Sequence, residues 1–356
     1  MDKTVLDLYT DYLISSFGQI TATGLSDLLG TTLSHDRVSR FLNGEDFTSA
    51  DLWQWVKPLA RQIQGEEAVL IVDDSVEAKP YTDESELICW HWDHTIGRSV
   101  KGINLLTCLY HVHNVSLPVA FELVKKPDFV TDKKTGRPKR KARTNKNELY
   151  RQMLQTCVNN ALPFRYVLND TWFASAENMV FVKQTLHKEF VMPLKDNRKV
   201  SLVAPQQPDR EFAPVSTVSL EADTLLTVWL EDVDFPLLLL KQVFINADGS
   251  EGILYLVTGD TTLTCDQIAT LYQKRWKVEE YHKSIKSNLG FAKSPTKTVR
   301  TQSNHIFACL LAFVKMERLR MHTHLNHFAM KAKLYQAALA TAFRELQTLK
   351  ANCSLA

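Results

Sequence analysis

Tyr272, Arg275, Glu279 and Lys286 follow one another with two, three and six residues between them. At roughly 100° per residue, their positions project within an arc of about 60° on a helix. A second stripe of Leu271, Val278, Ile285 and Leu289 is apolar and can pack on a core. A carboxylate set among Tyr, Arg and Lys on one helix face suits a metal ligand held among phosphate-binding groups. Thr264 with Gln267 reads as the capping box that starts this helix, and Asn288 to Gly290 as its exit. A single helix of alternating charges is by itself commonly a solvated face, so the reading needs further carboxylates.

Two strand-like runs supply them. Ala68 to Val72 is apolar and ends in Asp73 and Asp74, and Phe164 to Leu168 ends in Asn169 and Asp170. A lone Asp at such a place is usually a turn former or helix cap. Two of them, followed by a Glu on a later helix, point to a divalent cation site. Alternation places Asp73 and Asp74 on opposite faces of the strand and leaves both open as the first ligand.

The spacing resembles the Y-R-E-K motif of bacterial insertion-sequence transposases, which are DDE-class enzymes with a ribonuclease H-like core. The block Asp93 to Asn104 and Leu117-Pro118-Val119 also resemble that family, so the likeness runs from about residue 35 to 315. The family has Thr or Ser after its first Asp, which favours Asp74, before Ser75. The resemblance then implies Asp74, Asp170 and Glu279 as catalytic ligands of two Mg²⁺ ions, with Mn²⁺ a possible substitute. Such ions generate an attacking oxygen and neutralise the leaving one, and hard oxygen ligands hold them. By the same resemblance, Tyr272, Arg275 and Lys286 grip DNA phosphates, and the enzyme cuts the ends of its element and joins the 3′-hydroxyls to target DNA. Two element ends must meet, which implies a homodimer on DNA. The alternatives are a Mg²⁺-dependent nuclease of the same fold that never joins strands, and a DNA-binding repressor whose acid site is idle.

The expected fold class is α/β, a ribonuclease H-like mixed sheet flanked by helices, with a β-rich insertion and an N-terminal helical domain. The expected divisions are 1–60 helical, 61–194 the first part of the core, 195–258 the insertion, 259–300 the core helix with the motif, and 301–356 a C-terminal helical region. Within the first, Leu25 to Leu29 and Ser34 to Leu42 around Gly30 resemble a helix-turn-helix with Arg37 and Arg40 facing phosphates; a structural bundle is the equal alternative. Pro58, after Trp53 and Trp55, is the expected boundary before the core. Gly102 to His113 and Ser116 to Leu123 read as a hairpin that joins the first run in a meander. Asn147 to Asn159 reads as a helix, Ser175 to His187 as the next, and Phe190 to Leu194 as the last core strand. The insertion holds strand-like segments at Val215 to Leu220, Leu225 to Leu230, Leu237 to Ile245 and Ile253 to Val257.

Other DNA contacts are expected from charge and aromatic residues. Lys133 to Arg143 carries seven Lys or Arg in eleven residues, which predicts a mobile basic loop with Arg137, Lys139 and Arg140 on DNA; Gly136-Arg137-Pro138 resembles an AT-hook core. Lys283, beside His282, follows Glu279 closely and can reach DNA. Related transposases hold a displaced base in the β insertion, where Trp229 is the candidate; packing inside the insertion is the plainer role. Cys89, His91 and His94 do not make a zinc site, because no second ligand pair matches them.

The chain has 356 residues, 45% of them apolar, and a formal charge of only +2, so any affinity for nucleic acid must come from local clusters. Its longest apolar run, the nine residues from Ile306 to Val314, is too short to cross a bilayer. With no signal-peptide layout and six cysteines lacking a CxxC pair, the sequence predicts a cytoplasmic protein with reduced thiols.

Overall fold

The computed structural model describes residues 2–93, 96–133, 136–207, 209–246 and 248–353. In chain order its helices are α1 (Lys3–Ser15), α2 (Ala22–Leu29), α3 (His35–Leu42), α4 (Ser49–Ile63), α5 (Lys146–Asn159), α6 (Ala176–Val180), α7 (Cys265–Gln273), α8 (Trp276–Asn288), α9 (Val299–Thr323) and α10 (His327–Cys353). The strands are β1 (Val69–Ala78), β2 (Cys89–Asp93), β3 (Arg98–Val112), β4 (Val115–Leu123), β5 (Asp128–Thr131), β6 (Pro138–Lys141), β7 (Tyr166–Asn169), β8 (Glu189–Leu194), β9 (Lys199–Ser201), β10 (Ala213–Pro214), β11 (Leu225–Leu230), β12 (Leu237–Ile245) and β13 (Glu251–Thr258). They form two compact units. One, the helical unit, comprises Met1–Val56, Glu77–Ile103 and Glu280–Ala356; the other, the sheet unit, comprises Lys57–Val76 and Asn104–Glu279.

The sheet unit carries the core order β4-β3-β1-β7-β8. β3 and β4 pair antiparallel around a tight turn at His113 and Asn114, both with positive φ. β7 runs parallel to both β1 and β8. Parallel strands are covered on both faces and read as unbroken apolar runs, and all four residues of β7 are buried. α5 supplies the crossover into β7, opened by a capping box between Asn145 and Glu148. A hairpin followed by parallel strands joined through a helix is the ribonuclease H-like arrangement, so the chain has that mixed α/β fold. The strands after β8 do not form a separate sheet: β13 pairs antiparallel with β8, and β12, β11, β9 and β10 follow outward.

Several elements differ from the sequence expectation. Pro58 lies inside α4 and does not end it; Trp53, Val56, Leu59, Ala60 and Ile63 are buried on either side, and that burial outweighs the lost backbone bond. Val215 to Leu220 is not a strand. Val215–Thr217 makes a 3₁₀ turn, and the Thr217 hydroxyl donates to the Pro214 carbonyl at 2.8 Å, offering the backbone a local alternative to the ladder. The helix expected over Ser175 to His187 runs as α6 and then widens into a π-helical turn over Phe181–Thr185. β2, pairing antiparallel with Arg98 to Gly102 of β3, is an addition.

In the helical unit, α9 is buried on nearly every side from Thr301 to Val314, which accounts for the nine-residue apolar run. Asn304 on this helix accepts from the Phe47 amide at 3.2 Å and donates to the Leu42 and Glu45 carbonyls at 2.9 Å each, closing the end of α3. Beside it, the His305 ring bonds the Tyr9 hydroxyl at 2.9 Å. Burial pushes its pKa down to about 4, so the ring is neutral. α2 and α3 are the two segments expected of a helix-turn-helix, and Arg37 is ion-paired with Asp2 at 2.7 Å. Among the described residues no helix is long and apolar enough to cross a membrane.

Asp260, just past β13, ties that strand to the start of β7. It accepts from the Tyr166 hydroxyl at 2.7 Å, Arg165 at 2.8 Å and the Thr262 hydroxyl at 2.6 Å. Burial works to raise its pKa, but the bonds from Thr262 and Tyr166 and the Arg165 charge prevail and hold it at about 2. A carboxyl lowered in the folded state stabilises the fold above its ordinary value of 3.8, and that contribution is lost as pH falls through about 2. Asp260→Asn therefore melts lower than wild type at pH 7, and the gap narrows as the pH drops below about 4. Thermal melts followed by circular dichroism check this; a gap that is constant with pH would remove charge from the explanation.

Candidate active site

Strand register brings the acids together. β1 and β7 pair in parallel as far as Val72 opposite Asn169, so Asp73 and Asp74, within β1, come beside Asp170, just past β7. Asp73 is buried, and its carboxylate accepts the amide of Asp74 at 2.8 Å. Burial, and after it the charges of Asp170, Asp74 and Glu279, push the Asp73 pKa well above the ordinary range. Asp170 is raised too, by burial first and then by Asp74, although it accepts amide bonds from Trp172 at 3.0 Å and Phe173 at 3.4 Å.

Asp74 has different neighbours. Asn104 on β3 donates to it at 2.6 Å, and Lys146 at the start of α5 donates at 2.9 Å. The Lys146 ammonium also lies 4.7 Å from the centre of the Trp172 ring, a cation–π contact. Sequence reasoning did not single out Asn104, Lys146 or Trp172. The available signals were the position of Asn104 on the strand next to β1, and of Lys146 directly after the Asn145 cap.

The motif helix is broken in two. α7 begins at the capping box of Thr264 and Gln267, as its sequence predicts. It stops at Gln273; the Lys274 and Arg275 amides bond three residues back to Leu271 and Tyr272, and α8 begins at Trp276. This tighter turn leaves Tyr272 on α7 and Glu279 on α8. Arg275, at the join, donates to Glu279 at 3.3 Å and sits 3.8 Å from Asp73. It also lies 5.8 Å from the Tyr272 ring centre. Tyr272 donates at 3.5 Å to the Asn169 carbonyl, the residue before Asp170, and burial raises its pKa. Gly290 ends the run with φ +67°, the left-handed exit that favours glycine.

Two of the helix cations lie in the helical unit. Lys286 is 3.6 Å from Glu77, whose pKa burial raises. Lys283 is exposed and lies over the Phe328 ring at 5.3 Å; His282 is buried against Tyr281. The basic run departs from the mobile loop expected of it. Pro138 to Lys141 is strand β6, paired antiparallel with β5, and Pro is tolerated as its first residue. Arg140 stacks 4.3 Å from the Phe129 ring, Lys139 pairs with Asp132 at 2.6 Å, and Arg143 with Asp128 at 3.0 Å. Arg137 is exposed before the strand; Lys134 and Thr135 lie outside the described residues. Trp229 is half-buried in β11 opposite Ser201, between the buried Val228 and Leu230. Cys89 and His91 touch at 3.3 Å, while His94 lies outside the described residues.

Among the described residues no three acid, His or Cys side chains form a ready-made cation cage. Protein cations engage the acids instead: Lys146 holds Asp74, and Arg275 spans Asp73 and Glu279.

Residues 2–213 match the family described as DDE superfamily endonuclease, and residues 123–314 match the transposase DDE domain. Each match covers more than half of the chain, which therefore belongs to the DDE-class transposases. No curated protein matches it.

Buried carboxylates that raise one another's pKa cost stability. In divalent-free buffer near neutral pH, Asp73→Asn is expected to melt higher than wild type, on the order of 2 °C, in calorimetric scans. An equal or lower melting temperature would mean that the Arg275 contact outweighs the crowding.

Proposed function

We propose that this protein is a DNA transposase that cleaves the ends of its own element and joins the freed 3′-hydroxyls to target DNA. The observation that carries the reading is the convergence of β1, β7 and the α7–α8 join, which sets acidic side chains against Arg275 and Tyr272 in one unit. The crowding that raises the Asp73 and Asp170 pKa values fits divalent cations, whose charge would relieve it. Asp74, Asp170 and Glu279 would hold two Mg²⁺ ions, or Mn²⁺, with Asp73 adjoining. When bound, such ions activate the attacking oxygen and neutralise the leaving one.

The chain's own residues do the positioning. Lys146 and Arg275 engage the carboxylates, and each would be available to a DNA phosphate if the acids held divalent cations. Arg275 then offers its guanidinium fork to a DNA phosphate, with Tyr272 fixing its approach through the stacked ring. Asn104 keeps Asp74 oriented, and the Trp172 and Phe173 amides keep Asp170 aimed. Lys286 and Lys283, in the helical unit, also bind DNA phosphates, and Arg137, Lys139 and Arg140 at the β5–β6 hairpin contact DNA outside the cleaved ends. Trp229 is the candidate for stacking a displaced base. Two copies act together on two element ends, in the cytoplasm.

The test is cleavage and joining of DNA carrying the ends of the encoding element, with Mg²⁺, for wild type, Glu279→Gln, Asp74→Asn and Asp73→Asn. Wild type yields nicked and joined products. Glu279→Gln and Asp74→Asn lose both by at least about 10³-fold while still binding the ends, and Asp73→Asn keeps measurable activity. Inactive Asp73→Asn beside active Asp74→Asn would move the first ligand to Asp73. Cleavage without joining by the wild type would reduce the activity to that of a nuclease.

A further inference from the structure

Strand β2 turns aromatic residues toward solvent. It pairs antiparallel with the start of β3 and is the last strand on that side of the sheet. Its side chains alternate: Cys89 and His91 are buried, while Trp90 and Trp92 are exposed at 56% and 53%. A strand with one covered face requires that alternation, and its open positions are commonly filled by polar residues. Here two indoles fill them in succession.

Register identifies what else shares the open face. Trp90 lies opposite Lys101, and Trp92 opposite Ser99; opposed residues of an antiparallel pair stand on the same side. Asp93, level with Arg98, falls on the other side with Cys89 and His91. The open face therefore combines two rings, an ammonium and a hydroxyl, and none of these four groups is an acid. All four belong to the helical unit, whereas Asp73, Asp74, Asp170, Glu279 and Trp229 belong to the sheet unit.

Aromatic rings beside a cation on a sheet face suit single-stranded nucleic acid. Every base has a π-face that stacks on a ring, and the cation meets the phosphate. The spacing separates single strands from duplex. Two residues span about 6.6 Å along a strand, roughly twice the 3.4 Å between successive bases in one strand of a duplex. Neighbouring bases reach both rings only when the strand is extended and unstacked. In a duplex the same base faces are covered by their neighbours.

We propose that Trp90 and Trp92, with Lys101 and Ser99, form a binding site for single-stranded DNA, in which consecutive bases stack on the two indoles and a phosphate meets Lys101. The transposase reading supplies the source of the ligand, since opening an element end exposes unpaired nucleotides. Binding is measured without metal or cleavage, so either reading can fail while the other stands.

The experiment is fluorescence anisotropy of a labelled oligothymidine of about 12 nucleotides with the full-length protein in divalent-free buffer, beside a labelled duplex of the same length. Trp90→Ala with Trp92→Ala is expected to weaken single-strand binding by at least about tenfold, with duplex binding kept within about twofold and an unchanged circular dichroism spectrum. Trp90→Phe with Trp92→Phe keeps rings to stack on and retains most of the affinity, which separates stacking from a loss of fold. Lys101→Gln makes single-strand binding less dependent on salt, lowering the slope of log affinity against log salt by roughly 0.7. A wild type that does not bind the oligothymidine overturns the proposal, as does an Ala pair that binds it as tightly as wild type. Equal losses on single strand and duplex, or a Phe pair as weak as the Ala pair, also overturn it. An unchanged salt slope in Lys101→Gln removes Lys101 from the site.

Discussion

The parallel pairing of β1 with β7 is the constraint on which the site depends. The acids follow directly on this pairing, Asp73 and Asp74 within β1 and Asp170 just past β7, and neither group means anything chemically until Val72 and Asn169 are level. Shifting the register by one residue would turn every side chain of a strand to the other face, separating Asp73 and Asp74 from Asp170. What fixes the register is burial. Leu70, Ile71, Val167 and Leu168 are fully enclosed, and Tyr150 on α5 donates to the side chain of Asn169 at 3.0 Å, holding the strand end. The hydrophobic effect thus sets the distance between charged groups that it cannot itself stabilise.

Those charges are costly where they stand. Raised pKa values at Asp73 and Asp170 record carboxylates that burial and mutual repulsion both disfavour as anions. The chain offsets this with Lys146 and Asn104 on Asp74, and with Arg275 between Asp73 and Glu279. Both cations come from side chains that also touch aromatic rings, Trp172 and Tyr272. A ring holds a cation while leaving its hydrogen-bond donors available to another anion. Such an arrangement suits the proposed binding of charged ligands.

Much of this was legible in the sequence, and the failures share a cause. Apolar runs located β1, β7, β8, β11 and β12, and the capping box of Thr264 and Gln267 located the start of α7, because these signals are local. What was not legible depended on partners far along the chain. Nothing near Asn104 or Lys146 announces that each will meet Asp74, and nothing near Pro58 shows that burial on both sides will carry α4 through it. The basic run illustrates the same limit: its composition suggests a loop, but Phe129 and Asp128 on the opposing strand and Asp132 just past it engage Arg140, Arg143 and Lys139. The acids themselves were found at the ends of apolar runs, although β1 continues through Asp73 and Asp74 to Ala78, and their crowding by the fold alone.

The broken motif helix shows why a sequence pattern can be informative while its geometric reading is incomplete. On one continuous helix, Tyr272, Arg275 and Glu279 would share a face, which is what their spacing suggests. The tight turn at Lys274 and Arg275 disrupts that face but keeps the short-range relations. Arg275 remains four residues before Glu279 and reaches it within the first turn of α8. Tyr272, three before Arg275, remains within reach of its guanidinium. The break adds what a straight helix does not supply: Arg275, at a join rather than mid-helix, can extend toward Asp73 on β1 as well as toward Glu279. Spacing therefore encodes which groups meet, and the local backbone decides what else they reach.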